Sequence, residues 1–331
     1  MNMSRRPFTV GAIGLLIAPG IVRSQQAGKV WRIGFIYARS RPTPSSPDAY
    51  LDAFVRGMRE LGYVEGKNLV IEWRFADGHN ERLPGLAVEL AQKNVEVIVT
   101  HSIFTTQAAQ RATSTIPIVF TGLTDPVIAG VVRSLARPEW NLTGLSLMSV
   151  DTSPKHVDLL AAAIPKLTRI AFLMNPIMPT HPPMLRSTQE AAQRIGATVL
   201  PVEARNPDEI EHGFVTMAGW HAEALIVAAD PLFLGQQRQL VQLALKHRIP
   251  TMFPYRQDTE AGGLMSYGQD LSNFYRLAAG YVDKIFKGAK PRDLPVAQPT
   301  TFEFALNLKT AKTLGITIPQ LLLLRADEVI Q

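Results

Sequence analysis

The chain of 331 residues contains no cysteine. This absence excludes disulfide bonds, thiolate nucleophiles, thiolate metal ligands and any lipid anchor attached through a thioether. A chain of this length corresponds to about two domains of roughly 150 residues, and each is large enough to hold a core without covalent cross-links. Since 46% of the residues are hydrophobic and 19% are charged, the composition is that of a soluble globular protein.

The sequence also lacks the common motifs of nucleotide-dependent enzymes and hydrolases. No Gly-x-Gly-x-x-Gly follows the first predicted strand, and neither a P-loop nor a Gly-x-Ser-x-Gly motif occurs. The seven histidines are scattered and form no His-Glu-x-x-His pair. His101 directly follows a predicted strand, but a general base there would need a nucleophile and an orienting carboxylate. We therefore predict a protein without enzymatic activity, cofactor or metal.

Basic residues are not clustered in the way that nucleic-acid binding requires. The net charge is +6 at pH 7, but Arg5, Arg6 and Arg23 lie in the first 24 residues, which carry no acidic residue. The rest of the chain has 31 basic and 28 acidic residues, a net charge of +3, and they are interspersed. We therefore expect no nucleic-acid partner.

The N-terminal apolar run is too short to anchor the chain in a membrane. Val10–Val22 has 13 residues and contains Pro19-Gly20, whereas a membrane-spanning helix needs about 20 apolar residues. Basic residues precede the run and polar residues follow it, which is the pattern of a secretory signal. We predict a signal peptide at 1–24, with cleavage after Ser24.

The paired arginines of the signal leave the export route open. Arg5 and Arg6 stand one residue before Pro7-Phe8, which resembles a twin-arginine signal, but an ordinary secretory signal with two arginines fits equally well. Either route predicts a periplasmic protein without stable membrane insertion, which we expect to be a monomer.

From Val30 onward, short apolar runs alternate with amphipathic segments of helical period. The first series begins with WRIGFIY (31–37), and a second begins with TRIAFLM (168–174). Apolar strands that alternate with helices indicate parallel sheets covered on both faces. The predicted fold class is α/β, with two doubly wound, Rossmann-like lobes joined by hinge strands.

Turn residues and prolines mark where the chain is expected to cross between the lobes. They gather in RPEWNLTGLSLMSVDTSPKH, and again in AKPRDLPVAQPT before a final predicted strand, FEFALNL. The predicted hinge strands lie near 143–150, 265–270 and 290–300. The predicted ranges are 25–145 with about 268–292 for the N-terminal lobe, and 146–267 with about 293–331 for the C-terminal lobe.

The stretch IPIVFTGLTDPVIAG (116–130) ends a buried strand with a hydroxyl and a carboxylate. Ligands of doubly wound sheets lie beyond the carboxyl ends of the strands, where Thr124 and Asp125 are placed. Thr124 can offer its hydroxyl to a ligand. Asp125 can contact a ligand or, as the alternative, cap a following helix with Pro126 in its first turn.

Other predicted strands also end in polar residues. Each residue could be a helix cap, but together they indicate two facing walls of a cleft. Hydroxyls and amides would hold a carboxylate, while Asp125, Asp230 or Asp270 could accept a ligand ammonium group. The predicted ligand-binding residues are Tyr37, Ser102, Thr105, Thr124, Asp125, Asn175, Asp230, Tyr255 and Asp270.

Several long stretches resemble the ABC-transporter substrate-binding family that includes the TrpX-type binders of aromatic amino acids. They are GMRELGYVEGKNLVIEWRFADG, IPIVFTGLTDPVIAGVVRSLARPEWNLTGLS, GGLMSYGQD and YVDKIFKGAKPRDLPVAQPTTFEFALNLKTAKTLGITIP. The resemblance implies a type I periplasmic binding protein fold, a small-molecule ligand between the lobes, and delivery to a membrane permease with its ATPase.

The chain departs from the family pattern at two ligand-facing segments. It has SIFTTQ where the family usually reads like ATPAAQ, and ADP at Ala229–Pro231 where TDN is usual. Ser102 stands where it could replace a threonine hydroxyl. The resemblance therefore predicts the fold and the role in transport rather than one particular ligand.

The predicted function is capture of an amino acid, an aromatic acid or a similar small carboxylate for an ABC importer. A periplasmic sensor that docks a receptor is the alternative. A transcriptional effector domain, a third class with this fold, would need a DNA-binding module ahead of the first strand, where the predicted export signal stands instead.

Overall fold

The computed structural model describes residues 29–331, so the predicted signal peptide lies outside the described residues. A first sheet contains five parallel strands in the order β2-β1-β3-β4-β5. Its elements are β1 (Trp31–Tyr37), α1 (Ala49–Glu60), β2 (Leu69–Phe75), α2 (Leu83–Ala91), β3 (Val97–Thr100), α3 (Ile103–Ala112), β4 (Ile118–Thr124) and β5 (Leu142–Leu147). We call this sheet and the helices packed on it the N-terminal lobe.

A second sheet, which with its helices forms the C-terminal lobe, has seven strands in the order β12-β11-β10-β9-β8-β6-β7. Its neighbouring strands are parallel except for β10 and β11. The elements in chain order are α4 (Ser149–Ala163), β6 (Arg169–Met174), α5 (His181–Arg194), β7 (Thr198–Glu203), α6 (Pro207–Gly219), β8 (Ala224–Val227), α7 (Pro231–Gly235), α8 (Gln237–His247), β9 (Thr251–Phe253), α9 (Arg256–Glu260), β10 (Met265–Gln269), α10 (Leu271–Phe286), β11 (Phe302–Asn307), α11 (Leu308–Leu314), α12 (Gln320–Leu323) and β12 (Glu328–Ile330).

The pattern of burial explains why the sequence forms parallel sheets. Strands β3, β4 and β5 are buried along their whole length, so both faces must be covered by helices. Helix α1 begins where the Asp48 carboxylate accepts the amide hydrogens of Tyr50 and Leu51. The two α/β lobes confirm the predicted fold class.

Helix α10 belongs to the N-terminal lobe although it follows a strand of the C-terminal lobe. It packs on α1 and β4, and the contact with α1 is close at Gly57. A Cβ atom at Gly57 would lie 2.7 Å from the backbone oxygen of Arg276, so a side chain there would push the helices apart. A short 3-10 helix at Pro291–Asp293 then leads the chain back towards β11.

Three segments of the chain cross between the lobes, after β5, after β10 and before β11. The side chain of Gln269 ties them together, because its Oε1 accepts the amide hydrogen of Met148 at 2.9 Å and its Nε2 donates to the carbonyl of Pro299. These crossings make motion of one lobe against the other possible. The predicted residue limits of the lobes and hinges stay predictions.

Two predicted details are wrong. No helix follows β4, because Asp125 (φ 42) and Gly130 (φ 69) leave the right-handed helical region. The chain instead forms a turn in which the Ala129 amide donates to the Asp125 carbonyl at 2.9 Å. The strand at 302–307 is also not the last one, since β12 follows and pairs with it in parallel.

None of the helices found between residues 29 and 331 combines the length and the apolar character needed to cross a bilayer.

Candidate ligand-binding site

A cavity lies between the two lobes, at the carboxyl ends of both sets of parallel strands. The loops after β1 and β3 and the ends of β4 and β5 line it from one side, and the loops after β6, β8 and β9 line it from the other. It contains about 500 Å³ of empty space including its mouth. The occupant of this space is therefore limited to a small molecule.

The start of helix α3 forms a polar part of the N-terminal wall. The Ser102 hydroxyl accepts the amide hydrogen of Thr105 at 3.2 Å, and the Thr105 hydroxyl accepts that of Ser102 at 3.0 Å. This reciprocal capping fixes the first helical turn, from which Ser102 and Ile103 line the cavity. The partial positive charge of a helix start favours an anionic group in front of it.

Asp230 supplies the corresponding polar group on the C-terminal wall. Its Oδ1 accepts the amide hydrogen of Leu232 at 2.7 Å and so caps α7. Its Oδ2 is buried and has no hydrogen-bond partner among the described residues. Burial raises the pKa of this carboxyl group to about 6, so it is mostly charged at neutral pH and is ready to accept a donor from a ligand.

His181 lies beside Asp230 without forming an ion pair. Its Nε2 is 3.9 Å from Asp230 Oδ2, but that nitrogen donates to the carbonyl of Ala229 at 3.2 Å, and its Nδ1 accepts the amide hydrogen of Asn175 at 2.8 Å. Burial also lowers the pKa of His181 to about 4, so the imidazole is neutral. The charge of Asp230 is therefore not compensated by this histidine.

The rest of the cavity wall is largely apolar. It is formed by aliphatic side chains and by the rings of Tyr255 and Tyr275, the latter from α10. The aliphatic residues are Ile103, Leu123, Leu147, Met178, Leu234 and Leu271. A ligand that fits this wall combines polar ends with an apolar body.

The lobes are in contact around the cavity. Met178 of the C-terminal lobe is 2% exposed and belongs to a core cluster that otherwise contains N-terminal residues such as Ile103 and Ala129. Ala229 and Tyr255 likewise belong to the core around β1 and α10. The structure is therefore a closed arrangement of the two lobes.

The structure brings four of the nine predicted site residues together in the cavity. Ser102 and Thr124 line it from the N-terminal lobe, and Asp230 and Tyr255 line it from the C-terminal lobe. Their contacts with a ligand stay predictions, but their placement on facing walls is what such contacts require.

The other five predicted residues do not line the cavity, and their polar side chains are engaged within the protein. The hydrogen-bond partners are the Asp48 carboxylate for Tyr37, Ser102 for Thr105, the Val150 amide for Asp125, the Ile177 amide for Asn175 and the Asn273 amide for Asp270. Four of the five bonds support the start of a helix or a turn, which explains why strand ends carry such residues even where they face no ligand.

Asp125 connects the two lobes rather than facing the cavity. Its Oδ2 accepts the amide hydrogen of Val150, in the first turn of α4, at 3.2 Å. Burial raises the pKa of Asp125 to about 6. The carboxylate thus caps a helix, which was the predicted alternative to ligand contact for Asp125. The helix is α4 of the other lobe, however, and not one that follows β4.

Two polar cavity residues were missed among the predicted contacts, Arg39 and His101. Arg39 follows β1 in a loop rich in Pro and Ser, where no pattern distinguishes a buried arginine from a solvated one. The imidazole of His101 packs 4.2 Å from the ring of Tyr37, and burial lowers its pKa to about 3. A neutral His101 adds no charge to the cavity.

Residues 29–331 contain no group of three or more His, Asp or Glu side chains that could hold a metal ion.

Comparison with known proteins agrees with this geometry. The tyrosine-binding protein of Clostridioides difficile (strain R20291) is 25% identical over 272 residues, which are 82% of this chain and 78% of that protein.

Two solved structures resemble the chain along most of its length. An ABC domain in complex with L-Trp from Streptococcus pneumonia has a TM-score of 0.82 and 24% identity, covering 91% of this chain and 100% of that one. The ligand-free, open structure of a substrate binding protein with adhesive properties from Clostridium difficile has a TM-score of 0.66 and 25% identity, again covering 91% and 100%.

The family model described as ABC transporter substrate binding protein matches residues 44–330. This match confirms the resemblance that the sequence motifs indicate, including the type I periplasmic binding protein fold. With a ligand-sized cavity between two α/β lobes and a family match over nearly the whole described chain, the protein belongs to the ABC transporter substrate binding protein family.

Proposed function

We propose that the chain is the periplasmic solute-binding component of an ABC importer and that its ligand is an amino acid, an aromatic acid or a similar small carboxylate. The ligand lies in the cavity between the lobes and is passed to a membrane permease with its ATPase. The protein acts as a monomer and carries out no reaction on the ligand.

The observation that carries this proposal is Asp230, which lines a cavity built from both lobes and whose buried Oδ2 has no hydrogen-bond partner among the described residues. A buried polar atom without a partner costs roughly 1–3 kcal/mol, so a ligand donor that reaches it regains that free energy. Since Ser102 and the start of α3 lie on the facing wall, a molecule with a donor at one end and an anionic group at the other would satisfy both walls.

The apolar wall and the relatives favour an apolar or aromatic body between those ends. The named relative binds tyrosine, and one structural neighbour was solved with L-Trp. The cavity offers the rings of Tyr255 and Tyr275 and six aliphatic side chains. Aromatic amino acids are therefore the first compounds to test.

Closure of the lobes around the ligand supports a transport role. The closed arrangement resembles the tryptophan complex (TM-score 0.82) more than the ligand-free, open structure (TM-score 0.66). A ligand that contacts both walls binds the closed form better and shifts the population towards it. Micromolar affinity corresponds to about −8 kcal/mol, which exceeds a closure cost of a few kcal/mol.

A thermal-shift screen of the mature chain, residues 25–331, tests the proposal. The panel contains aromatic and aliphatic amino acids, aromatic acids, small dicarboxylates, sugars and polyamines. A ligand at 100 times its dissociation constant stabilises the native state by about 2.7 kcal/mol. We expect a clear rise in melting temperature with at least one carboxylate, and the Asp230→Ala variant should lose most of that rise.

A panel in which no compound shifts the melting temperature would contradict the proposal. So would a shift that is the same in the Asp230→Ala variant, because Asp230 would then make no contact with the ligand.

A further inference from the structure

We propose that Arg39 determines the ligand class of this protein by binding the ligand's carboxylate with its guanidinium group. The inference rests on the proposed function and deepens it, since it assigns the anionic end of the ligand to one residue of the N-terminal wall. Its consequence is that compounds with an amide or ester in place of the carboxylate are rejected.

Arg39 is the one arginine or lysine among the described residues that line the cavity. It lies two residues after β1, next to the loop after β3 that carries His101 and Ser102, because β1 and β3 are neighbours in the sheet. Its side chain is 30% exposed, so the charge is partly shielded from water. A ligand carboxylate at this wall would therefore meet both the guanidinium group and the start of α3.

The guanidinium group is held in place by a network inside the N-terminal lobe. Its Nη1 donates to the Tyr37 hydroxyl at 3.2 Å and lies 3.3 Å from Asp48 Oδ2. The Tyr37 hydroxyl in turn donates to Asp48 Oδ2 at 2.9 Å. Burial raises the pKa of Tyr37 well above its usual value, so the hydroxyl keeps the proton it donates.

Asp48 is itself fixed, because its Oδ1 accepts the amide hydrogens of Tyr50 at 3.0 Å and Leu51 at 3.2 Å. The start of helix α1 thus orients a carboxylate, and that carboxylate orients the arginine. Arg39 loses little conformational freedom when a ligand arrives, which favours binding. Asp48 is a positioning residue in this arrangement.

One edge of the guanidinium group remains for a ligand. A guanidinium carries five N–H donors, and the contacts with Tyr37 and Asp48 use Nη1. The donor nitrogens Nε and Nη2 of Arg39 make no hydrogen bond to any residue within 29–331. They carry parallel donors that match the two oxygens of a carboxylate, and Arg39 borders both the cavity and the outer groove at its mouth.

The balance of charge in the cavity also favours an anion at Arg39 rather than elsewhere. Asp48 partly neutralises Arg39, and His101 is neutral. Asp230 adds a negative charge on the facing wall. A carboxylate near Asp230 would be repelled, so the anionic end of a ligand is directed to the N-terminal wall.

Pairs of acids and their amides test the assignment by isothermal titration calorimetry. The probes are L-tyrosine and L-tyrosinamide, L-tryptophan and L-tryptophanamide, L-leucine and L-leucinamide, and benzoate and benzamide. For every acid that binds the wild-type chain, we expect its amide to bind about 30-fold more weakly or worse. In the Arg39→Gln variant the preference for the acid should fall at least about tenfold, to what the start of α3 contributes, and Arg39→Lys should lie between that variant and the wild-type chain.

Arg41 provides a matched control in the same loop. It lines an outer groove at the mouth but not the cavity, and its guanidinium lies 4.8 Å from the ring centroid of Phe75. The Arg41→Gln variant should keep the preference for acids over amides. The ratio of acid to amide affinity separates recognition from stability, since a merely structural role of Arg39 would weaken both compounds alike.

The proposal is overturned if an amide binds as well as its acid, or if Arg39→Gln leaves that ratio unchanged. If Arg39→Gln does not fold, the Arg39→Lys variant tests the proposal instead. If Arg39→Lys and Arg41→Gln both keep the wild-type ratio of acid to amide affinity, the guanidinium group of Arg39 has no role in recognition. Should a sugar or polyamine bind while no carboxylate does, both the role of Arg39 and the carboxylate class of the ligand are wrong, and the solute-binding role alone stands. Absence of any binding would contradict both.

Discussion

Asp125 and Asp230 stand at the ends of two parallel strands, and each is followed by a proline, yet their carboxylates have different surroundings. Asp230 uses Oδ1 to cap α7, and its buried Oδ2 has no hydrogen-bond partner among the described residues. Asp125 directs Oδ2 to the amide of Val150 in the other lobe. The difference arises from the left-handed backbone of Asp125 (φ 42), which the sequence pattern Thr-Asp-Pro does not reveal.

Replacement of each aspartate by alanine should separate the two roles. Asp230→Ala should lower ligand affinity by at least about tenfold, because a ligand donor loses its partner. In Asp125→Ala, the affinity of the closed form for the ligand should stay within a few-fold of the wild-type value. The free energy of unfolding should fall by about 0.5–2 kcal/mol, as it does when a helix cap is lost. Calorimetric titration and urea unfolding of both variants measure these effects, and equal losses of affinity would show that Asp125 contacts the ligand.

The buried carboxyl group of Asp230 predicts a pH dependence of stability without ligand. Its folded-state pKa of about 6 is above the unfolded value of about 3.9, so the folded protein binds the proton more tightly. This contribution to stability is fully present below the unfolded pKa and is lost as the pH rises through the folded pKa. The loss amounts to roughly 2 kcal/mol between pH 4 and pH 7, since part of the contribution is already lost at pH 4.

Urea unfolding from pH 4 to pH 7 tests this dependence in the Asp230→Asn variant. The variant should gain about 2 kcal/mol relative to the wild-type chain over that range, because asparagine does not titrate. Asp52→Asn, which changes an exposed carboxylate on α1, is the control and should show no comparable gain. A wild-type chain and an Asp230→Asn variant with parallel pH profiles would contradict the account of this site.

At the residue scale, the sequence predicted several residues that line the cavity near the ends of apolar strands. Thr124 ends β4, Ser102 lies two residues after β3 and Asp230 lies three residues after β8, so the rule that ligands lie beyond strand ends selected them. It also selected Asn175 and Asp270, whose side chains support local turns. Arg39 escaped because its burial depends on Asp48 and Tyr37, a contact that no local pattern encodes.

At the scale of elements, the pairing of α1 with α10 shows how a late segment completes the N-terminal lobe. Gly57 of α1 faces Arg276 and Ala279 of α10, where a Cβ atom would lie 2.7 Å from the Arg276 oxygen. Both helices contribute to the core that surrounds β1, and Tyr275 of α10 reaches the cavity. The position of α10 thus affects both the core and the site.

Gly57→Ala should therefore destabilise the protein by about 1–3 kcal/mol, since the helices must move apart. Gly280→Ala in α10 is the matched control, because no atom lies within 4 Å of a Cβ placed there. That substitution should stabilise the protein by about 0.5–1 kcal/mol through the helix propensity of alanine. Urea unfolding of the two variants measures the contrast, and effects of the same sign would mean that α1 and α10 do not meet at Gly57.

Secondary structure was predictable wherever one face of an element is buried, because burial sets the spacing of apolar residues along the sequence. The strands in both lobes and the long helices α1, α5 and α10 match the apolar patterns. The missing helix after β4 depends on two backbone conformations with positive φ, at Asp125 and Gly130. Strand β12 has three residues and pairs only with β11, so it is too short for a periodic signal.

At the scale of the whole molecule, the contact between the lobes relates the fold to transport. Met178 inserts into the N-terminal core, and the side chain of Gln269 joins the three crossing segments. A ligand that contacts Asp230 and the facing wall at once strengthens this arrangement. Transport by this account depends on an open form that admits the ligand and a closed form that the ligand stabilises.

The absence of cysteine allows this closure to be measured without background labelling. Val88→Cys on α2 and Val215→Cys on α6 place one spin label on each lobe, at side chains that are 47% and 61% exposed. Double electron–electron resonance then reports the distance between the lobes, with and without the compound that gives the largest thermal shift. We expect a broad distribution without ligand and a shift to a single narrow distance with saturating ligand. The same distribution in both samples, at a ligand concentration that raises the melting temperature, would contradict capture between the lobes.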